Sequence, residues 1–183
     1  TNKKSLLDKL KAKSKREANI FFSLCEKDSE IISTKRFKEV LLNSGLKSND
    51  KRLYNLFQNL DAHGEKIVFE DFIEIIRSSE LIVEKALRGE LSIPDFTYFA
   101  KNLNDMFDEV KKVKSGELAS YIPPLANVDP DQFGVAIVTT DGQIYQKGDS
   151  EVDFSIQSMC KPFNYCFAME KLGLEKVHQH VGQ

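Results

Sequence analysis

Two side chains in the last part of the chain, Ser158 and Lys161, have the types and spacing of a serine nucleophile and its base. A Ser-x-x-Lys sequence places the hydroxyl and the amine one helical turn apart, on the same face of a helix. One class of acyl-transfer enzymes uses this pair, with the lysine amine activating the serine hydroxyl. The tetrapeptide alone is not specific, because the chain contains two further matches, Ser44/Lys47 and Ser48/Lys51.

The elements predicted around Ser158 distinguish it from the other two matches. Residues 134–140 are a β-branched run, and the Asp-Gly pair that follows is a strong hairpin signal. Residues 143–148 are predicted to form the returning strand. A helix is predicted to start near Ser158 and to end at Gly173, since glycine commonly follows the last turn of a helix. The third match alone therefore follows a hairpin and opens a helix.

The start of a helix suits a serine nucleophile for an electrostatic reason. Free N–H groups and the positive end of the helix dipole stabilise a developing alkoxide, and they favour a neutral Lys161. Pro162 is compatible with this placement, because proline is tolerated in a first helical turn. A structural interpretation is also open: Ser158 caps the helix, and Lys161 is a solvated cation.

The overall composition argues against several classes of function. The chain has 183 residues, 41% hydrophobic residues and a formal net charge of −2, which argues against nucleic acid as the main partner. No apolar run reaches the roughly 18 residues that a membrane span needs. Cys25, Cys160 and Cys166 lack CxxC spacing, so we expect reduced thiols rather than disulfides or a metal site. Residues 1–16 are strongly basic, as in a targeting segment or a basic helix.

Residues 1–90 are predicted to form an all-helical module with a weak internal repeat. Ile32 and Phe37 recur as Ile67 and Phe72, with the same five-residue separation between isoleucine and phenylalanine. This separation is typical of EF-hand loops. The sequence therefore predicts a pair of EF-hand-like units.

The ligand positions of these loops are wrong for calcium, which needs several oxygen ligands and favours a glutamate at position twelve. Positions one, three, five and twelve hold Cys25, Lys27, Ser29 and Arg36 in the first loop, and Leu60, Ala62, Gly64 and Asp71 in the second. A shifted register with Asp61 first and Glu70 at twelve places Lys66 where an apolar residue belongs. We therefore expect a degenerate module that has kept its packing and binds no metal.

Residues 91–120 are interpreted as a helix and a hinge between two domains. The helix is predicted over residues 90–113, with Pro94 in its first turn, and residues 111–116 are the exposed hinge. Residues 121–183 form the third predicted segment and begin with a Pro-Pro sequence that excludes a helix interior. The expected fold class is α+β.

The combined motifs of residues 121–183 resemble the glutaminases, and more narrowly the animal kidney-type phosphate-activated enzymes. The residues that carry the resemblance are Tyr121-Ile122-Pro123-Pro124-Leu125-Ala126, Gly134-Val135-Ala136, Thr140-Asp141-Gly142-Gln143, Gly148-Asp149, Gln157-Ser158-x-x-Lys161-Pro162, Leu172-Gly173, Val177-His178 and Val181-Gly182. The resemblance covers residues 95–183 closely and 17–94 loosely. It implies a β-lactamase/transpeptidase-like catalytic domain that hydrolyses L-glutamine to L-glutamate and ammonia without a metal or other cofactor.

The resemblance also implies roles for individual residues. Ser158 is the nucleophile, and its backbone N–H forms half of the oxyanion hole. Lys161 is the base, and Tyr121 and Gln157 contact the substrate. The structural alternatives are an amphipathic rim tyrosine and a strand-end amide. The remaining aspartates and histidines of this region are expected in loops or on the surface: Asp129, Asp149, Asp153, His178 and His180.

By the same resemblance the chain stops inside the catalytic domain, so we expect further residues to complete the site. The resemblance also implies mitochondrial localisation, a homotetramer and phosphate as an allosteric activator. Two other functions stay open. One is another Ser-x-x-Lys hydrolase of the β-lactamase or penicillin-binding class, although its Ser-Asp-Asn and Lys-Thr-Gly motifs are absent from these residues. The other is a non-catalytic helical interaction fragment.

Overall fold

A computed structural model describes residues 12–25 and 29–182 of the chain. Two compact units are present, one made of Thr1–Ser115 and Phe133–Ser150, the other of Gly116–Gln132 and Glu151–Gln183. Residues 1–11 of the basic segment, and Lys27 of the first predicted loop, lie outside the described residues. The domain boundaries at residues 90 and 120 stay a prediction.

The first unit contains the helical module. Its helices are α1 (Ala12–Leu24), α2 (Thr34–Asn43), α3 (Tyr54–Ala62), α4 (Phe69–Ile76), α5 (Glu80–Arg88) and α6 (Phe96–Val110). The amphipathic patterns predicted these helices because each buries one apolar stripe. Buried side chains of α1–α5 and of the segments that connect and follow them form one core: Ile20, Phe21, Leu24, Ile32, Phe37, Leu41, Leu46, Leu53, Leu56, Phe57, Leu60, Ile67, Phe72, Ile75, Ile76, Val83 and Leu91.

The two copies of the internal repeat pair with each other in the structure. Strands β1 (Ile32–Ser33) and β2 (Lys66–Ile67) are antiparallel, and Ile32 lies opposite Ile67. Both isoleucines are fully buried, and the rings of Phe37 and Phe72 lie 5.6 Å apart in the core beneath them. The two loops therefore pair through the repeated isoleucines, in agreement with the predicted pair of EF-hand-like units.

Two helix starts differ from the predictions. The sequence offers Asn49 or Asp50 as the capping residue of α3, but the helix begins at Tyr54, because the Asp50 carboxylate accepts a hydrogen bond from the Arg52 N–H in the turn before it. Helix α6 begins at Phe96 and not at residue 90, since the Asp95 carboxylate accepts the Tyr98 N–H at 2.9 Å and so fixes the first turn.

The predicted hairpin is present and belongs to the first unit. Strands β3 (Gly134–Val138) and β4 (Ile144–Gly148) are antiparallel, with Gly134 opposite Gly148. The strands lie against α6, where the rings of Phe107 and Phe133 stack at 4.7 Å and the Tyr145 hydroxyl donates to the Asn104 side chain at 3.0 Å.

The second unit is built from short elements. A 3-10 helix spans Pro123–Asn127, and a second one, Gln157–Met159, leads into α7 (Cys160–Leu172) and α8 (Leu174–His178). Gly173 ends α7 with a φ of +80°, as predicted. Among the described residues of this unit, only Val177 is buried. The whole chain combines helices with small sheets and is α+β, while the β-lactamase-like architecture stays a prediction.

Candidate active site

Ser158 lies in the second unit, in the 3-10 turn Gln157–Met159 that precedes α7. The sequence predicted that this serine opens a helix, and the structure adds that the helix begins with a tighter turn. The side chain is exposed and does not cap α7, whose N-cap position is Met159. The alternative interpretation of Ser158 as a capping residue is therefore wrong.

Lys161 is the second residue of α7 and is also exposed. Its position close to the N-terminus of a 13-residue helix places its amine near the positive end of the helix dipole. A cation is disfavoured at that end, whereas an anion is stabilised there. The described residues give neither Ser158 nor Lys161 a hydrogen bond from its side chain, so their functional pairing stays a prediction.

Tyr121 and Gln157 are brought together although they lie 36 residues apart in the sequence. The Tyr121 hydroxyl donates a hydrogen bond to the Gln157 side-chain oxygen. Tyr121 is 71% exposed, so burial does not impose this contact. Two residues that the sequence predicted for substrate binding thus meet next to Ser158, which is the neighbour of Gln157 in the chain.

The backbone at Gln157 is unusual. Its φ of +42° is the one positive φ at a non-glycine residue among the described residues. Such a conformation costs a side-chain-bearing residue about 1–2 kcal/mol and is most frequent at functional sites. The turn before Ser158 is therefore held in a conformation that the local sequence alone does not favour.

One contact in this unit escaped the sequence analysis. The side chains of Tyr165 and His178 are 2.6 Å apart at Oη and Nε2, and their rings stack at 6.2 Å. His178 was expected on the surface, where it lies, but no partner was predicted for it. The pairing depends on the reversal of the chain at Gly173 between α7 and α8, which no spacing rule indicates.

Two of the aspartates serve as loop residues, as predicted. Asp129 accepts the Asp131 N–H at 2.9 Å, and Asp149 accepts the Phe133 N–H at 2.9 Å beside the open end of the hairpin. Within the described part of the chain, no three His, Cys, Asp or Glu side chains are placed to hold a metal ion. No described helix has both the length and the apolar content for a membrane crossing.

Family models match two separate parts of the chain. The glutaminase model matches residues 116–183, and an EF-hand domain model matches residues 16–94. The first match contains all four predicted site residues, Tyr121, Gln157, Ser158 and Lys161. The second contains the paired loops of the helical module.

Curated proteins with similar sequences carry the same family name. A protein named putative glutaminase 3 from Caenorhabditis elegans is 36% identical over 159 residues, which are 81% of this chain and 27% of that protein. The mitochondrial liver isoform of glutaminase from Rattus norvegicus is 31% identical over 170 residues, 90% of this chain and 28% of its own length. A glutaminase from Nostoc sp. is 43% identical over 99 residues, 54% of this chain and 29% of that protein. This chain thus spans less than a third of the length of these relatives.

Proposed function

From the glutaminase match over residues 116–183 we propose that the chain belongs to the glutaminase family and contributes the nucleophile and the base to an enzyme that hydrolyses L-glutamine. The observation that carries the proposal is the family match over the segment that contains Ser158 and Lys161. The contact between Tyr121 and Gln157 supports it, because it joins two predicted substrate-binding residues beside that serine.

The proposed reaction has two steps. The Ser158 hydroxyl oxygen attacks the side-chain amide carbon of glutamine while the Lys161 amine takes the hydroxyl proton. The proton then passes to the leaving nitrogen, the C–N bond breaks, and ammonia departs from a glutamyl ester on Ser158. Water hydrolyses the ester to glutamate and restores the serine hydroxyl. The Lys161 amine and the oxyanion of the attacked amide both lie at the start of α7. The helix dipole there favours a neutral lysine and a negative oxygen.

We further propose that more of the same protein covers α7 in the active enzyme. The helix has apolar side chains on several sides, and Phe163 and Phe167 are 61% and 59% exposed. A helix that is apolar all round is typical of a protein interior. The relatives are more than three times as long as the part of them that this chain matches, so sequence for such a cover exists in the family.

The remaining family properties are part of the same proposal. Mitochondrial localisation is supported by the name of the rat relative. Assembly as a homotetramer and activation by phosphate rest on the resemblance of the motifs alone.

The decisive experiment measures glutamine hydrolysis by the full-length protein and by four variants. Ser158→Ala is expected to lower kcat by about 10³-fold or more, and Lys161→Met by about 10²–10⁴-fold. Ser48→Ala and Lys51→Met are matched controls, because they alter an exposed Ser-x-x-Lys pair in the helical module. Both controls should retain full activity.

A second measurement tests directly for the glutamyl-serine intermediate. With hydroxylamine added, a glutamyl-serine intermediate gives glutamyl hydroxamate, and Ser158→Ala should abolish this product. Activity that survives Ser158→Ala would overturn the mechanism. Hydrolysis of penicillin without hydrolysis of glutamine would favour the β-lactamase class, and the lack of both activities would favour an interaction fragment.

A further inference from the structure

A polar side chain of the hairpin is completely buried in the first unit. Gln143, at the start of the returning strand, has no exposed surface. Its Oε1 accepts the Ile93 N–H at 2.9 Å, and its Nε2 donates to the carbonyl oxygens of Ser44 and Ile93, each at 2.8 Å. A buried amide is costly unless it is hydrogen-bonded. The hairpin can therefore adopt this position only when these partners are in place. All of them are backbone groups of residues 16–94, the segment that the EF-hand model matches and that is meant by the module below.

The backbone of the same strand joins the module as well. The Ile144 N–H donates to the Gly45 carbonyl at 2.8 Å, and Leu46 forms an antiparallel bridge with Gln143. The loop after α2 therefore pairs with the hairpin at one residue, directly before β4. Peptide-binding domains use this kind of edge pairing to hold an extended ligand through its main chain.

The acidic tip of the hairpin has its own binding groups. The Asp141 carboxylate accepts from the Lys85 amine at 3.0 Å, and from the N–H and hydroxyl of Ser92 at 2.8 and 2.9 Å. The hydrogen bond from Lys85, and after it the bonds from Ser92, hold the pKa of Asp141 below its usual value. Arg52 donates to the Thr140 carbonyl at 3.1 Å. The tip is therefore recognised by its charge as well as by its backbone.

The glycine of the turn is required by its backbone conformation. Gly142 has a φ of +94°, a value that residues with a side chain rarely adopt. An Asp-Gly-Gln sequence thus meets two requirements of the surface, a negative charge and an amide that can enter a buried site, and one requirement of the turn, a residue that tolerates a positive φ.

From these contacts we infer that the EF-hand-like module is a receptor for an Asp-Gly-Gln hairpin turn, which residues 139–144 of this chain supply. The receptor surface consists of Gly45, Arg52, Lys85, Ser92 and Ile93. An isolated two-stranded hairpin is marginally stable in water, so the module and α6, which packs against the strands, together provide the order of β3 and β4. This binding role requires no calcium and goes beyond glutamine hydrolysis.

Amide hydrogen exchange on the intact chain tests the receptor. Gln143→Ala removes the buried amide and should accelerate exchange at Thr139, Ile144 and the paired strand amides by at least tenfold. The amides of α2 and α4 should change by less than twofold. Gln58→Ala is the matched control, since it removes an exposed glutamine from the module itself. Unchanged exchange in the hairpin of Gln143→Ala would overturn the inference.

A charge exchange tests the same surface without emptying a buried site. Asp141→Lys and Lys85→Glu should each accelerate hairpin exchange by about tenfold, and the double variant should recover at least half of that loss on a logarithmic scale. The recovery is incomplete because Ser92 cannot donate to a lysine. If Gln143→Ala unfolds the whole chain, this cycle decides the question. No recovery in the double variant would mean that the turn is not recognised by its charge, and the inference would fail.

Discussion

The two units differ most in how far their aromatic side chains are buried. In the helical unit, Phe21, Phe37 and Phe72 are buried, and the ring of Phe72 lies 5.5 Å from that of Phe21 and 5.6 Å from that of Phe37. In the unit that carries Ser158, the phenylalanines of α7 are exposed. The first unit has a core of its own, whereas the second presents apolar surface that its described residues do not cover. The residues proposed for chemistry thus lie in the unit with less packing of its own.

The largest expected difference comes from the same substitution in each unit. Phe72→Ala opens a cavity in the helical core and should lower the free energy of unfolding by about 3–5 kcal/mol. Phe163→Ala removes a side chain that is 61% exposed and should change it by less than about 0.5 kcal/mol. Urea unfolding of the 183-residue chain measures both. Equal losses would show that α7 is packed in solution, and the contrast between the units would disappear.

Glycine substitutions should give a smaller difference between the units in the loss of unfolding free energy. Gly148 has a φ of +68°, and a Cβ there would lie 2.2 Å from the Phe133 carbonyl oxygen and 2.5 Å from the Phe107 ring. Gly148→Ala should therefore cost about 2–3 kcal/mol through backbone strain and overpacking. Gly173 has a φ of +80° and a ψ of 159° with open space around it, so Gly173→Ala should cost the backbone strain alone, about 1–2 kcal/mol. Thermal unfolding compares the two variants, and a larger loss at Gly173 would contradict the expectation.

Acidification should weaken the first unit through the tip of the hairpin. The pKa of Asp141 is lowered in the folded chain from 3.8, chiefly by the hydrogen bond from Lys85. A carboxyl with a depressed folded pKa stabilises the fold above its unfolded pKa, and this contribution is lost as the pH falls through the folded pKa. Asp141→Asn should therefore lower the melting temperature by about 2–4 °C near pH 7 and by progressively less below pH 4.

The exposed Asp105 supplies the control for this pH dependence. Asp105→Asn removes a carboxylate from the surface of α6 and should leave the melting temperature within about 1 °C at every pH. A gap between wild type and Asp141→Asn that widens on acidification would have the wrong sign for a carboxyl with a lowered pKa. That result would show that the ion pair between Asp141 and Lys85 does not stabilise the hairpin.

The sequence predicted best what depends on local periodicity. The helices of the first unit, the hairpin and the end of α7 at Gly173 follow from apolar spacing, an Asp-Gly pair and a glycine, which act within a few residues. The pairing of Ile32 with Ile67 was also accessible, because a repeat marks structurally equivalent positions.

Long-range polar contacts were not accessible from the sequence. Gln143 is an ordinary strand residue by pattern, and nothing nearby indicates that its amide bonds to loops 50 and 99 residues away. The partners of Asp141 and of His178 were missed for the same reason. In the candidate site, the motif predicted Tyr121, Gln157, Ser158 and Lys161 as a set, and the structure joins the first two. The positive φ of Gln157 has no local sequence signal, since glycine and asparagine are the residues that favour it.

The smallest expected effect is that of calcium, for which we expect no saturable binding heat and a change in melting temperature below about 1 °C at millimolar Ca²⁺. The second loop lacks ligands, because Leu60 at position one is fully buried and the Gly64 carbonyl already accepts the Thr34 hydroxyl at 2.5 Å. In the shifted register, the Asp61 carboxylate is paired with Lys38. Calcium would have to displace that lysine and still find several more oxygens.

Isothermal titration calorimetry of the chelator-treated chain, with Mg²⁺ as the comparison ion, measures this directly. EF-hand loops of known function bind calcium with dissociation constants from about 10⁻⁹ to 10⁻³ M, so a stoichiometric heat in that range would show a working loop and contradict the assignment. The expected null result has a structural reason. The β1–β2 pairing and the Phe37–Phe72 contact hold the two loops together through buried apolar groups, so the module needs no ion to keep the surface that binds the hairpin.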